Sequence, residues 1–514
     1  MNGAESLVAT LLKSGVDTCF TNPGTSEMHF VAALDAAPKM RSVLALHETV
    51  ATGAADGYFR IKGTPSSTLL HLGPGLANGL SNLHNAKKAG SGIVNIVGEH
   101  AIPHIALDAP LTADIEGIAR PCSNWVKTSK SAATVGADAA EAVAAASGPG
   151  ADVATLILPG DTAWTEGGAI ADPVAAPAPP RVSADDVEAA ARALTGPDSL
   201  LLLGSGAQTA EALDMAGRIA AKTGCGLLTE WSNARLERGA GRIAVNRVPY
   251  VVELAVETLA PFKRIVLAGS DRPVAFFAYP DKPGVLTQPD TEFFALGSRA
   301  DNVPQALADL AAATDAAGTA PSGVAEAFAP EIPNDPTGPE SIAPVLANLI
   351  PENAIVIDES ITTGRQFFPV TKCAPPHSWL NNRGGSIGYG LPVAVGAAIA
   401  APDRKVIAMI GDGSAMYSLQ ALWTMAREGL DVTVLIFANQ SYRILRGELT
   451  NVGVQNAGPR AIDMLSLDRP TLGWLDMAKG MGVTGERVED APALARAMAA
   501  GLAEEGPYLI EVAC

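Results

Sequence analysis

Short runs of apolar residues alternate with amphipathic stretches along most of the chain. The first block contains four such runs, at residues 43–46, 67–72, 92–98 and 154–159. Each run is long enough for one strand, and the stretches between them are predicted to be helical. Strand and helix in alternation are typical of a parallel sheet with helices on its faces. Residues 1–17 predict an amphipathic helix at the start of this block.

The same alternation returns in two further blocks. The second opens with the apolar strand 199–207 and includes a strand at 264–270. The third contains strands at 354–360, 405–414 and 432–439 and ends with the apolar sequence YLIEVA. The pattern predicts an α/β protein with three doubly wound parallel-sheet domains in series.

Two proline-bearing segments without a clear apolar period separate the three blocks, and both are predicted to be linkers. They cover residues 167–186 and 321–340, which leaves domains at 1–166, 187–320 and 341–514. The length of 514 residues supports this division, since one hydrophobic core does not serve so long a chain.

The net charge and the cysteine content limit the expected classes of partner and the expected cellular compartment. The chain has 36 basic and 54 acidic residues and a formal net charge of −18. Because this charge repels phosphate backbones and anionic headgroups, we expect neither nucleic acid nor a membrane as a partner. The five cysteines form no CxxC pair, so neither a disulfide framework nor a zinc site is predicted, and a cytoplasmic location is expected.

The strongest chemical signal is the sequence Gly411-Asp412-Gly413-Ser414, followed by Asn439 at the end of the next predicted strand. The carboxyl ends of neighbouring strands are where α/β sheets bind ligands. Aspartate and asparagine oxygens suit Mg²⁺, while the glycines and a helix opening at Ser414 suit a phosphate group. The pattern predicts a joint metal and phosphate site, and the alternative is an ordinary turn.

This arrangement resembles the diphosphate-binding motif of thiamine-diphosphate enzymes, in which GDG is followed at a distance by asparagine. The resemblance implies that Asp412, Asn439 and the backbone carbonyl of Ser441 hold Mg²⁺ together with thiamine diphosphate. It also implies contacts between the cofactor and a larger set of residues, namely Gly411, Gly413, Ser414, Thr362, Ile387, Tyr442, Asn78 and Pro23.

The sequence HETVATGAADGYFR places Glu48 after a predicted strand and at the start of a helix. A glutamate in this position is usually a partner of the helix dipole. The stretch is similar, however, to one in the pyrimidine-binding domain of the decarboxylase and acetolactate synthase group, where the glutamate activates the cofactor. The sequences FTNPGTSEMHF and HLGPGLANGL fit the same domain. The resemblance covers the whole chain in the order pyrimidine-binding, middle and diphosphate-binding domain.

Within that group the chain looks most like benzoylformate decarboxylase. Ser26 corresponds to a serine near the substrate, and His71 matches one of two active-site histidines. A histidine can transfer protons near neutral pH, although a purely structural role for His71 is the alternative. The second histidine has no counterpart in residues 270–284, where Phe276 and Phe277 stand instead. Further candidates for the substrate pocket are Ile444, Leu445 and Glu448.

Two further expectations follow from the resemblance. The sequence LLLLGSGA has only part of a dinucleotide-binding fingerprint, so we do not expect the FAD that some members of the group carry. Glu48 and the diphosphate loop are expected to meet across two subunits, which makes a homodimer the smallest active unit and a homotetramer the expected assembly.

The expected activity is that of a thiamine-diphosphate-dependent 2-oxo acid decarboxylase and carboligase, forming acyloins from 2-oxo acids and aldehydes. Two alternatives stay open at this point. One is an acetolactate synthase-like carboligase acting on pyruvate. The other is an inactive partner subunit that binds the cofactor only.

Overall fold

Three parallel sheets flanked by helices form the framework of the chain in the computed structural model, which describes residues 1–148 and 150–514. The predicted α/β class with three parallel-sheet domains is therefore confirmed. In the described part of the chain, no helix combines the length and the hydropathy that crossing a membrane requires.

The first sheet has six parallel strands in the order β2-β1-β3-β4-β6-β5. Its strands are β1 (Thr18–Asn22), β2 (Arg41–Leu44), β3 (Ser66–Leu70), β4 (Ile93–Glu99), β5 (Trp125–Thr128) and β6 (Val153–Pro159). The accompanying helices are α1 (Gly3–Lys13), α2 (Met28–Asp35), α3 (Glu48–Lys62), α4 (Leu72–Ala89), α5 (Ile102–Ile105), α6 (Ile115–Ala119), α7 (Ala132–Ser147) and α8 (Gly160–Trp164).

The second sheet has five parallel strands in the order β10-β8-β7-β11-β12, and β9 is not part of it. The strands of this part of the chain are β7 (Ser199–Leu203), β8 (Gly226–Thr229), β9 (Leu236–Arg238), β10 (Asn246–Arg247), β11 (Arg264–Ala268) and β12 (Glu292–Ala295). The helices are α9 (Ala184–Ala193), α10 (Ala210–Thr223), α11 (Val252–Leu259) and α12 (Val303–Ala313).

The third sheet has seven strands in the order β17-β18-β16-β15-β13-β14-β9. Its own strands are β13 (Ile355–Glu359), β14 (His377–Asn381), β15 (Val406–Gly411), β16 (Val432–Ala438), β17 (Thr484–Val488) and β18 (Tyr508–Ala513). Its helices are α13 (Pro339–Leu349), α14 (Phe367–Val370), α15 (Gly390–Ala400), α16 (Asp412–Ala415), α17 (Ala421–Glu428), α18 (Arg443–Asn451), α19 (Pro459–Asp463), α20 (Trp474–Gly480) and α21 (Ala491–Ala503).

Strand β9 joins the middle part of the chain to the third sheet. It pairs antiparallel with β14, so that Arg238 lies opposite His377. The other pairs of the third sheet are parallel. Main-chain hydrogen bonds therefore fix the middle segment against the last third of the chain.

Burial follows strand position in the sheets. Strands β4, β6, β15 and β16 are buried along their whole length, because helices cover both faces of these inner strands. Strand β2 differs from the prediction of an apolar strand at 43–46. It begins at Arg41 and exposes Arg41 and Ser42, because it forms the edge of its sheet.

Helices α3 and α15 pack closely because glycines remove side chains from their contact. A Cβ atom added to Gly396 would lie 1.8 Å from the carbonyl oxygen of Ala54, and one added to Gly57 would lie 2.2 Å from that of Val393. Nearby, the buried Arg60 pairs with Asp56 and donates to the carbonyl oxygen of Asn381 at 2.7 Å. This contact ties the first domain to the third.

We expect Gly396→Ala to lower the free energy of unfolding by about 2 kcal/mol or more, because two helix backbones must separate to admit one methyl group. The apparent midpoint of thermal unfolding measures the change. Gly480→Ala is the matched control, since an added Cβ there has no atom within 4 Å. Equal midpoints for the two variants would contradict the close approach of α3 and α15.

Candidate active site

Asp412 lies at the point where β15 ends, and it is only 2% exposed. Its Oδ1 accepts the Gly413 N–H at 2.8 Å, and its Oδ2 accepts the Gln440 N–H at 2.7 Å. Burial raises the pKa of Asp412, while these two amides oppose the shift. Because β15 and β16 are neighbours, the carboxylate is fixed from the ends of both strands.

Asn439 directly follows β16 and faces the same edge. Its Oδ1 accepts the Ser441 N–H at 3.1 Å, and the Ser441 hydroxyl donates to the carbonyl oxygen of Leu465 at 3.0 Å. Gln440 between them has a φ of 54°, in the left-handed region. An amide oxygen has a second lone pair, so Asp412 and Asn439 together offer the hard oxygen ligands that suit Mg²⁺.

The loop around Asp412 is shaped by Gly413. A Cβ atom on Gly413 would lie 2.5 Å from the Tyr442 ring, so the ring rests on the glycine backbone. Ser414 is buried beside it. The helix predicted to open at Ser414 instead begins at Asp412 and covers only one turn, with Gly411 as its N-cap residue.

Thr362 lies in the segment that follows β13, next to a strained residue. Ile361 has a φ of 51°, which is rare for a β-branched side chain and costs about 1–3 kcal/mol. Its Cγ1 lies beside Gly411. Thr362 is half-buried and precedes a 3₁₀ turn, Thr363–Gln366. Leu72, directly after His71, also has a positive φ, of 49°. Such strain is found mainly at functional sites.

Ile387 sits in a loop held by the buried carboxylate of Glu359. Glu359 Oε1 accepts the N–H of Gly388 at 2.9 Å and that of Tyr389 at 3.2 Å, and Oε2 accepts that of Gly390 at 2.7 Å. Burial raises the pKa of Glu359 to about 7, against the effect of the three amides. The carboxylate thus fixes the loop just before α15 begins.

Glu48 begins α3, as predicted, and is 8% exposed. Its Oε2 accepts a hydrogen bond from Asn78 Nδ2 at 3.0 Å. A Cβ on Gly75 would lie 3.2 Å from Glu48 Oε1 and 3.3 Å from the Cβ of His71. The structure therefore brings three of the predicted residues, Glu48, Asn78 and His71, together around one glycine.

His71 is held by a buried glutamate that the sequence analysis missed. His71 Nδ1 lies 2.8 Å from Oε2 of Glu27, which also accepts the Gly24 N–H at 2.8 Å. Glu27 is 2% exposed, and burial raises the pKa of its carboxyl while His71 opposes that shift. With Nδ1 engaged, the Nε2 atom of His71 is left for another partner.

Pro23 and Ser26 flank the same group. Both are half-buried, and Ser26 lies in the 3₁₀ turn Thr25–Glu27. Gly24, between them, packs so closely on the His71 ring that an added Cβ would come within 2.2 Å of Nδ1. The predicted proline, serine and histidine thus share one corner of the first sheet.

Phe276 and Phe277 belong to an aromatic cluster. Their ring centroids are 4.7 Å apart, and Phe276 also lies 5.0 Å from Trp231 and 5.7 Å from Tyr250. A Cβ on Gly385 would lie 2.5 Å from the Phe276 ring, two residues before Ile387. The cluster therefore stands against the loop that carries a predicted cofactor contact.

Helix α18 carries the remaining pocket candidates and has no buried residue. Ile444 and Glu448 line a cavity that also includes Tyr250, Tyr279 and Arg365. Burial raises the pKa of Tyr279, and the neighbouring Glu448 carboxylate raises it further. Leu445 does not line this cavity and is 43% exposed.

Glu27 and Glu359 are the site residues that the sequence analysis missed. Glu27 stands in the sequence NPGTSE, whose serine was noticed, and Glu359 ends the strand AIVIDE. A glutamate next to a Pro-Gly turn or at a strand end was the available signal. Their partners, His71 and the amides of 388–390, are distant in sequence, so the pairing itself left no local pattern.

Comparisons with known proteins identify family domains at both ends of the chain and relatives along its full length. The model for the thiamine pyrophosphate enzyme N-terminal TPP binding domain matches residues 1–117, and that for the C-terminal TPP binding domain matches residues 362–512. The fold is similar to the thiamine diphosphate-dependent 4-hydroxybenzoylformate decarboxylase of Rhodococcus jostii RHA1, with a TM-score of 0.84, 24% identity, and 100% and 99% of the two chains covered.

Two curated relatives extend this comparison. The chain is 49% identical to a Mycobacterium tuberculosis protein provisionally named acetolactate synthase large subunit IlvX, over 100% of this chain and 99% of that one. It is 28% identical to benzoylformate decarboxylase of Pseudomonas aeruginosa, over 98% and 97% of the two chains. The chain belongs to the thiamine pyrophosphate enzyme family.

Proposed function

We propose that this protein is a thiamine-diphosphate- and Mg²⁺-dependent decarboxylase of 2-oxo acids that also ligates the resulting acyl unit to aldehydes. The decarboxylation consumes one proton, R–CO–COO⁻ + H⁺ → R–CHO + CO₂. Ligation to an aldehyde gives an acyloin instead. When bound, thiamine diphosphate supplies the electron sink for breaking the carbon–carbon bond.

The observation that carries the proposal is the pair formed by Glu27 and His71 beside Glu48. Releasing an aldehyde requires a proton at the former carbonyl carbon, and a histidine with one nitrogen fixed is suited to deliver it. Glu27 orients the ring through Nδ1. Glu48, bound by Asn78, is the separate carboxylate assigned to the cofactor. The two carboxylates thus have different partners and different roles.

The residues present suit the cofactor. Asp412 and Asn439 supply oxygens for Mg²⁺, and Gly413 lets the Tyr442 ring pack directly on the loop. Thr362 follows β13 and Ser414 follows the neighbouring strand β15, and both are assigned to the phosphates. In this assignment the third domain binds the anionic part, while Glu48 serves the pyrimidine part.

The aromatic cluster supports an apolar, planar 2-oxo acid as the substrate. Trp231, Tyr250, Phe276 and Phe277 form a wall against the loop of Ile387. Apolar walls favour decarboxylation, since they raise the energy of a carboxylate more than that of its uncharged product. Relatives named for benzoylformate and 4-hydroxybenzoylformate agree with this substrate class.

An acetolactate synthase-like ligation of two pyruvate molecules is the second candidate. It is favoured by the relative that is 49% identical. The two candidates differ in the fate of the acyl unit, because an aldehyde needs the proton that His71 is placed to give. The proposed activity therefore depends on His71 more than the second candidate does.

The active unit is proposed to contain at least two copies of the chain. Apolar side chains near both halves of the site are exposed in the single chain, with Leu46 at 44%, Ile361 at 40% and Tyr417 at 55%. A second copy covering them would exclude water from the site. Glu48 of one copy would then face the Asp412 loop of the other.

The first test compares substrates directly. Purified protein with Mg²⁺ and thiamine diphosphate should release CO₂ and aldehyde from benzoylformate at least about tenfold faster, in kcat/KM, than from pyruvate. Acetolactate from pyruvate as the main product would favour the second candidate. If the protein binds the cofactor but forms no product from any of these substrates, the result would indicate an inactive partner subunit.

Glu48→Gln and Asp412→Asn should each lower kcat by about a hundredfold or more, for different reasons. Only Asp412→Asn should also lose the cofactor in equilibrium dialysis, because it weakens the metal site. If the site is shared between copies, reassociating the two inactive variants at 1:1 should restore about a quarter of the wild-type activity. No recovery would contradict the shared site.

Glu27→Gln should lower kcat about tenfold and change KM less than about twofold. The reason is that the His71 ring is no longer fixed through Nδ1 by a carboxylate. Glu99→Gln is the control, because Glu99 is also buried but accepts its hydrogen bond from the His100 N–H at 2.6 Å. A kcat equal to that of the wild type in Glu27→Gln would rule out the role of Glu27 as a positioning residue.

A further inference from the structure

The loop that leads into α15 is attached to all three domains. We call residues 382–389 the Ile387 loop. From the third domain, the Glu359 carboxylate binds the amides at the end of this loop. From the first domain, Asn85 of α4 donates to the carbonyl oxygen of Ser386 at 2.8 Å and accepts the Ser386 N–H at 3.2 Å. A third attachment comes from the middle domain, so all three domains meet at this loop.

An ion pair forms the attachment to the middle domain. Arg383 Nη1 donates to Glu230 Oε2 at 2.5 Å and to the carbonyl oxygen of Ser232 at 2.6 Å, and Nη2 donates to Glu230 Oε1 at 3.3 Å. The Ser232 hydroxyl donates to the carbonyl oxygen of Asn382 at 2.8 Å. The side chains of Arg383 and Glu230 are only 15% and 11% exposed. A planar guanidinium bonded in this way fixes both the distance and the direction of the contact.

The aromatic cluster is attached to the same two segments. Trp231 lies between the two residues that bind Arg383, and its ring meets Phe276 edge-on, with an interplanar angle of 87°. Phe276 in turn packs on Gly385 of the Ile387 loop, where an added Cβ would lie 2.5 Å from the ring. The segment 230–232 and the loop therefore meet twice, once through the ion pair and once through the aromatic rings. Two contacts at separate points hold the aromatic wall at a fixed distance from the loop.

The three attachments hold different parts of the loop and of the helix start behind it. Glu359 and Asn85 hold residues 386–390, next to the proposed cofactor contact. Arg383 holds residues 382–385, against which the aromatic wall packs. Loss of the ion pair should therefore loosen the wall and leave the part of the loop that faces the cofactor attached.

We propose that Arg383 and Glu230 are positioning residues that set the preference of the active site for aromatic over small aliphatic 2-oxo acids. The inference rests on the proposed decarboxylase function. The pair acts through Trp231 and Phe276 and does not touch the reacting atoms. An aromatic substrate depends on a wall at a fixed distance, because its ring must pack against that wall. Pyruvate has only a methyl group in place of the ring and gains little from the wall.

Steady-state kinetics of the full chain, loaded with Mg²⁺ and thiamine diphosphate, test this preference. Arg383→Gln should lower the ratio of kcat/KM for benzoylformate to that for pyruvate about tenfold. The double variant Glu230→Gln/Arg383→Gln should show the same loss, because it lacks the guanidinium but leaves no buried charge unpaired. Cofactor affinity in equilibrium dialysis should change less than about threefold in both. The control Arg299→Gln removes an interdomain pair with Asp152, at 3.4 Å, and should keep the wild-type ratio.

Hydrogen exchange of the same variants, with and without the cofactor, tests the positioning without any substrate. In Arg383→Gln the amides at 384–385, which donate to Asn382 Oδ1 at 3.1 and 2.9 Å, should exchange about tenfold faster than in the wild type. The amides at 388–390, which the third domain binds, should change less than about twofold. Arg299→Gln should exchange like the wild type at both places.

Failure of this inference and failure of the proposed function give different results. A wild type without a preference for benzoylformate contradicts the proposed function, and the exchange rates alone then decide whether the pair positions the loop. Wild-type exchange at 384–385 in Arg383→Gln overturns the inference in every case. Where the wild type has the preference, a ratio within about twofold of the wild type in Arg383→Gln, or recovery of the wild-type ratio in the double variant, also overturns it.

Discussion

The contact between α3 and α15 sets the geometry on which the rest of the site depends. Helix α3 begins with Glu48, and α15 begins directly after the loop of Ile387. A carbonyl of one helix lies where a side chain at Gly396 would be. Because such close packing cannot slide without a large cost, the two helix starts are held in fixed positions.

The buried pair of Asp56 and Arg60 fixes the orientation of the two domains at that contact. Arg60 bonds to Asp56 within α3 and also to the carbonyl oxygen of Asn381 and the hydroxyl of Tyr389 in the third domain. Buried ion pairs add little net stability. However, an arginine whose donors are all bonded in this way is compatible with few other arrangements of the two domains. The pair therefore specifies how the first and third domains meet.

Strained backbone conformations also occur next to the proposed site residues. Leu72, Ile361 and Gln440 have positive φ values, and each is next to a proposed site residue, respectively His71, Thr362 and Asn439. The surrounding packing must over-determine such conformations for them to persist. The strained backbone thus positions these side chains at strand ends. Contacts between the domains offset the free-energy cost of the strain.

Sequence patterns predicted the inner strands well, since β4, β6, β15 and β16 are mainly apolar and buried along their whole length. Edge strands with polar residues, such as β5 and β17, gave no such signal. The start of α3 at Glu48 was correct. The predicted start of α16 was two residues late, because its N-cap residue is Gly411 and no capping side chain marks the start. Glu27 and Glu359 were missed because their contacts join distant segments.

Environment, more than residue type, separates the two carboxylates at the corner of the first sheet. Glu27 is 2% exposed, its Oε1 has no partner among the described residues, and its Oε2 is shared by His71 and Gly24. Glu48 lies at a helix start, where the dipole favours a negative charge, and a neutral amide binds it. A buried carboxylate whose pKa depends on a neighbouring histidine is suited to proton exchange with a substrate. A carboxylate at a helix start, bound by a neutral amide, is placed to contact a cofactor, so one corner of the fold can serve both tasks.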